Sequence, residues 1–185
     1  FPEAEISGSY YSNVFRAPSP TGDWAANVIS SGRLVSNWTQ HALEFRYMGD
    51  LSYFAEFDTE NDTGYLLETR GRYDFSRRTN VQGLLSREYA QENRAAINAS
   101  SVGPRTNVTT DRAEATFNHR FNRLSLQFRG SVGDFSYEDA DFNGVPIVNS
   151  ERNYTQTEET VRATWEFKPT LSGFTEVAVN QRDYD

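Results

Sequence analysis

Residues 123–139, RLSLQFRGSVGDFSYED, alternate between two kinds of side chain almost without a slip. Leu124, Leu126, Phe128 and Val132 make one row, and Ser125, Gln127, Arg129 and Ser131 make the other. A period of two predicts a β-strand with two unlike faces. Such a strand can serve as the half-buried wall of a soluble sheet or as the wall of a membrane barrel. The pattern recurs along the chain. Leu43, Phe45, Tyr47, Leu51 and Tyr53 oppose Glu44, Arg46, Asp50 and Ser52. Tyr65, Leu67, Tyr73 and Phe75 oppose Glu68, Arg70, Arg72 and Asp74, and Val161, Ala163, Trp165 and Phe167 oppose Arg162, Thr164 and Glu166.

The alternation predicts about nine strands, over 4–12, 24–36, 40–56, 64–75, 80–90, 109–120, 123–137, 154–167 and 171–184. The segment 24–36 is the least regular of them. Between strands the connections are short at 37–39, 77–79, 121–122 and 168–170 and long at 13–23, 57–63, 91–108 and 140–152. That is the signature of an up-and-down meander with tight turns on one rim and excursions on the other. An aromatic residue lies near each tight turn: Trp38, Phe75, Phe121 and Phe167. Amphipathic rings belong at a membrane–water boundary. Residues 87–100, REYAQENRAAINAS, are rich in helix formers, and a solvated loop with extended flanks is favoured there over a short helix.

Strand length and charge decide between core and lipid. Strands of a soluble sandwich usually have about 5–6 residues, while membrane strands need about 9–11. Several segments here exceed ten. An Arg on the lipid face at mid-bilayer costs roughly 2–4 kcal/mol, a penalty largely avoided in a wet lumen. The apolar row is therefore assigned to lipid. Glu44, Arg46, Glu68, Arg70, Arg72, Glu114, Arg129, Arg162 and Glu166 are the candidate lumen-lining residues, and a soluble β-sandwich or secreted barrel is the competing reading. Nine strands leave two open edges, which a bilayer does not tolerate. The expectation is an all-β, antiparallel transmembrane barrel of which residues 1–185 form one domain, the N-terminal part of a longer barrel.

Composition narrows the chemistry. The chain of 185 residues has no cysteine, which removes disulfide scaffolds, thiolate metal sites and cysteine nucleophiles. A net charge of -8 argues against a nucleic-acid partner. No run of about 18 apolar residues is present, so no transmembrane helix is available, which leaves a barrel open.

GSYYSNVFRAP, SGRLVSNWTQHALEFRYMGDLSYFAEFDTENDTGYLLETRGRYDFSRRTNV, ATFNHRFNRLSLQFRGSVGDFSYED and the closing NQRDYD together resemble the putative β-barrel porin 2 family of Gram-negative outer-membrane proteins. The resemblance spans nearly the whole chain and rests on the order of these hairpins. It implies an outer-membrane barrel, often associated with exopolysaccharide production or export, and it carries no catalytic motif.

The remaining features have plain structural readings. His41 and His119 flank tight turns with no metal-ligand spacing, and no Gly-x-Ser-x-Gly elbow accompanies them. The runs FDTENDTG at 57–64 and YEDADFNG at 137–144 lack a full calcium loop and read as solvated acidic loops. Asn37, Asn61, Asn98, Asn107 and Asn153 begin Asn-x-Ser/Thr triplets, taken as chance in an Asn-, Ser- and Thr-rich chain. The mixed Arg and Glu row reads first as cross-strand ion pairing and second as a surface selecting an anionic or sugar-like solute. The expected function is a porin-like channel for passage or export of polar solutes or exopolysaccharide. The alternative is a structural barrel whose long loops hold surface polysaccharide or a partner protein. Neither enzyme activity nor a cofactor is expected. The expected partners are outer-membrane lipid and lipopolysaccharide, polysaccharide, and the remainder of the barrel or other chains.

Overall fold

The computed structural model describes residues 1–92 and 104–185. Nine long strands form one antiparallel sheet in strict sequence order: β1 (Pro2–Tyr11), β2 (Asp23–Val35), β3 (Ala42–Phe54), β4 (Asp62–Ser76), β5 (Thr79–Gln91), β6 (Asn107–Arg120), β7 (Leu124–Tyr137), β10 (Tyr154–Lys168) and β11 (Leu171–Tyr184). The segments read from alternation correspond to these nine, with ends displaced by a few residues. Two short strands, β8 (Ala140–Phe142) and β9 (Val145–Ile147), add a hairpin inside the connection from β7 to β10. β1 and β11 pair on one side only, so the sheet is open.

The β8–β9 hairpin gives part of the acidic run 137–144 regular structure within the long connection that follows β7. Its turn is Asn143-Gly144, both with positive φ (55° and 79°). That conformation matches the right-handed twist of two flanking strands, and Asn-Gly favours it because Gly has no Cβ to clash. The turn is tightened by the Gly144 N–H donating to Asp141 Oδ1 at 2.9 Å. Of the helix-forming stretch 87–100, residues 87–91 complete β5, and the part from 93 onward lies outside the described residues.

The ladder registers fix which side chains share a face. Leu43 lies opposite Gly71, Phe45 opposite Thr69 and Tyr47 opposite Leu67 on one side of the sheet. Glu44 faces Arg70 and Arg46 faces Glu68 on the other. The two sides continue across β4 to β11, because partner residues project to the same side, although Arg87, Asp111, Asp134, Glu159 and Asp183 stand on the otherwise apolar one. No second layer covers the apolar face among the described residues, and Ala25 is the sole buried hydrophobic residue among them. Phe128, Trp165 and Val177 are 45 %, 47 % and 62 % exposed. Polar residues are the shielded ones. Thr116 and Thr160 are buried on the charged face, and the Glu68 and Glu44 side chains there are only 11 % and 21 % exposed.

The hairpin gives a direct check. Gly144→Ala forces a side chain into the left-handed region at a cost of about 1 kcal/mol. Amide exchange across Ala140–Phe142 and Val145–Ile147 should accelerate about fivefold, with β7 and β10 unchanged. Unaltered exchange in the hairpin would contradict the turn assignment.

Candidate functional site: the charged face and its loop rim

All nine candidate residues lie on the charged face: Glu44, Arg46, Glu68, Arg70, Arg72, Glu114, Arg129, Arg162 and Glu166. Most are ion-paired. Arg33 forks onto Glu44 through Nε at 2.7 Å and Nη2 at 2.9 Å. Glu44 also receives Arg46 at 3.4 Å, Arg46 reaches Glu68 at 4.0 Å, and Arg70 forks onto Glu68 at 2.8 and 3.0 Å. The result is a chain of alternating charge across β2, β3 and β4. Arg72 pairs with Asp74, Arg112 with Glu114, Arg120 with Glu166 and Arg162 with Glu176.

Exposed pairs of this kind contribute little to stability, typically below about 1 kcal/mol. Their consequence is a wall that presents both signs in fixed places. Arg129 makes no ion pair among the described residues and stays half-buried on the charged face. Arg33, Arg112, Arg120 and Glu176 belong to this surface too and were missed by sequence reading. Arg112 alternates with Glu114 in the same strand, a signal that could have found it. Arg33 sits in the irregular β2, and Glu176 pairs across strands, so neither shows in a one-dimensional pattern.

Toward the tight turns the face becomes cationic. A hollow of about 390 Å³ is lined there by Arg77, Arg78, Arg120 and Arg162 together with Asn118 and Gln127. Gln127 donates to Asn118 Oδ1 at 2.9 Å, and Asn118 donates to Asn80 Oδ1 at 3.1 Å, so the amides between the arginines are held in one network. Planar guanidinium groups offer forked donors suited to carboxylate or phosphate.

At the opposite rim the long loops hook onto one another. Asp23 accepts the backbone N–H groups of Glu56 and Phe57 at 3.0 and 3.1 Å. Arg105 donates to the Glu60 carbonyl at 2.6 Å and reaches Asp62 at 3.5 Å. Arg152 donates to Glu92 at 3.1 Å and lies over the Tyr137 ring at 4.2 Å. The acidic run at 57–64 thus carries Glu60, Asn61 and Asp62 as a seat for Arg105, and no cluster suited to a metal ion occurs among the described residues.

Three of the five Asn-x-Ser/Thr asparagines are structural at this rim. Asn61 accepts from the Phe54 N–H, Asn153 from the Tyr137 N–H, and Asn107 donates to Glu138. Asn98 lies outside the described residues. Both histidines have structural partners at the tight-turn end. His41 Nδ1 accepts the Asp74 N–H at 3.1 Å, with its ring stacked on Tyr73, and His119 Nδ1 contacts Thr79 Oγ1 at 2.8 Å.

The apolar face carries rings at both of its ends. Near the tight turns lie Trp38, Tyr73, Phe75, Phe121, Trp165 and Phe167, and near the long loops Tyr10, Trp24, Tyr53, Tyr65 and Tyr89. Tyr10 meets Trp24 at 5.3 Å, and Tyr65 stacks with Tyr89 at 5.6 Å. Only the first of these belts was legible in the sequence, because the turns beside it are short enough to mark it. This chain, a meander of long strands charged on one face and ringed with aromatics on the other, matches the family model for putative beta-barrel porin 2 over residues 1–185. The chain belongs to that family. Comparison with curated proteins and with solved structures gave no match. Family membership agrees with the barrel-type architecture and points to a porin-like, non-enzymatic protein.

Loop order at the rim should depend on pH. Asp139 accepts the N–H groups of Ser150 at 2.8 Å and Asn149 at 2.6 Å, which hold its carboxyl below the usual carboxylate value. A depressed folded-state value means a contribution fully present above about pH 4 and lost as pH falls through the folded value. Exchange in 138–153, corrected for intrinsic rate, should rise on acidification below pH 4. Asp139→Asn should abolish that dependence. A pH-independent loop in the native chain would contradict the assignment.

Proposed function

We propose that the chain forms wall of an outer-membrane porin-like barrel that passes polar, preferentially anionic, solutes along its charged face. One observation carries this reading: the large hydrophobic side chains of one face are bare, with no second layer over them among the described residues, while ion-paired Arg and Glu side chains occupy the other face. That inverts the arrangement of a protein folded in water. A hydrocarbon medium on the apolar side and water on the other makes it favourable.

The ring belts support the same reading. Tyr65 and Phe75 stand ten residue steps apart along β4, about 34 Å of strand. A tilt of about 40° brings that to roughly 26 Å, close to the apolar band of outer-membrane barrels. The free edges of β1 and β11 need partners in such a medium, so further strands close the wall. Diffusion through the lumen then needs no cofactor. The arginine hollow at the tight-turn mouth raises the local concentration of anions, and paired charges further along offer successive weak contacts. Export of an acidic exopolysaccharide is one form of this function. A second reading, in which the loops hold surface polysaccharide, draws on the clamps that fix the long-loop rim.

The full chain in a planar bilayer should conduct with a preference for anions. Arg70→Glu with Arg72→Glu should shift the reversal potential toward cations, and Arg129→Glu should do so without breaking an ion pair. Conductance with selectivity unmoved by either change would contradict the lumen assignment and favour the loop reading.

A further inference from the structure

The tight-turn end of the charged face runs against the charge of the chain. Net charge is -8 overall, yet Arg77, Arg78, Arg120, Arg123 and Lys168 lie in or beside three of the turns there, with Glu166 among them. The hollow of about 390 Å³ at this end takes guanidinium groups from Arg77, Arg78, Arg120 and Arg162, and no carboxylate lines it among the described residues. Arg120 is tied to Glu166 at 3.0 Å, and Arg162 reaches Glu176 at 3.7 Å while lying over the Phe174 ring at 3.9 Å. Arg77 and Arg78 are exposed and make no ion pair among the described residues. Four guanidinium groups against two carboxylates leave two positive charges. Asp74, opposite Asn80, is taken up by Arg72, and Arg129, one register row farther from the turns, adds cationic charge behind the hollow.

The turn that carries the two unpaired arginines is braced. Ser76 Oγ accepts the Arg78 N–H at 3.1 Å and donates to Thr79 Oγ1 at 3.2 Å, and the Arg78 carbonyl accepts the Arg120 N–H at 2.8 Å. The floor consists of polar side chains in two adjoining register rows, Ser125 with Thr164 in one and Asn80, Asn118 and Gln127 in the other. Asn80 Oδ1 accepts from Gln82 and Asn118, while Asn80 Nδ2 and the hydroxyls of Ser125 and Thr164 make no hydrogen bond among the described residues. Those three groups are donors left over for a ligand.

We infer that this hollow is a binding site for a soluble phosphate monoester of a small polar molecule. The inference rests on the channel reading above, whose anions it narrows to one class. A phosphate monoester carries about -1.5 to -2 charge at pH 7 on three terminal oxygens, which matches two unpaired guanidinium groups and their forked donors. A carboxylate brings one charge and two oxygens, and leaves one arginine unmatched. A lipid phosphodiester also brings one charge, and its tails belong to the opposite face of the sheet. The volume falls in the range of roughly 300–1,000 Å³ that holds a small organic ligand, so the amide and hydroxyl donors have room to meet the body of the molecule.

The full chain in phosphatidylcholine nanodiscs can be titrated calorimetrically with glucose 6-phosphate, glucuronate and glucose. One glucose 6-phosphate should bind per chain, at least tenfold tighter than glucuronate, with no measurable heat from glucose. Arg77→Gln with Arg78→Gln should weaken that binding at least tenfold. Arg123→Gln with Lys168→Gln removes two charges from the same rim outside the hollow and should change it less than twofold. No binding, equal affinity for glucuronate, or equal loss from both double variants would overturn the site while leaving the channel reading to its conductance test. Competition from phosphatidylglycerol added to the disc would assign the hollow to a lipid headgroup and overturn the soluble ligand. Binding as expected by a chain that passes no current in a planar bilayer would overturn the channel reading and uphold the site.

Discussion

The structure depends on a ladder of backbone hydrogen bonds that has no hydrophobic core behind it. Each long strand pairs with its sequence neighbour over ten or more residues, and those pairings are the principal contacts between elements. A sheet in water usually gains its stability by covering one greasy face. Here that face has nothing over it among the described residues, and many of its large hydrophobic side chains are exposed. On the proposed reading, the hydrocarbon of a bilayer supplies what a second layer would. A low-dielectric medium also strengthens the ladder, because an unpaired N–H or carbonyl has no water to turn to.

Alternation made the fold legible because a period of two has little ambiguity in strands this long. In β3, β4, β7 and β10 most residues declared their face, and the nine candidate residues share one side of the sheet. The β8–β9 hairpin was missed although Asn143-Gly144 spells a tight turn, since its strands of three residues are too short to alternate. Arg87, Asp111 and Asp134 escaped for a different reason. Each obeys the period of its own strand but inverts its polarity, and only the cross-strand register shows that the three form one row.

The loop clamps were invisible in the sequence for a physical reason as well. Arg105 and Asp62, or Arg152 and Glu92, are separated by tens of residues and meet only after the meander has brought their loops side by side. What the sequence offered instead was acidity, and acidity alone does not distinguish a cation site from a seat for an arginine. The difference between the two rims follows from these contacts. One rim is made of short turns with arginines at its inner edge, and the other of long connections braced against each other. The two ends of the wall therefore present different chemistry.

The account stands on which face meets hydrocarbon, and the absence of cysteine makes that measurable residue by residue. Single cysteines introduced along 124–132 in the full chain, reconstituted in lipid, can be challenged with a membrane-impermeant maleimide. Positions 125, 127, 129 and 131 should react, and 124, 126, 128, 130 and 132 should be protected and respond to a lipid-borne spin label. The reverse alternation, or equal reactivity along the strand, would contradict the account.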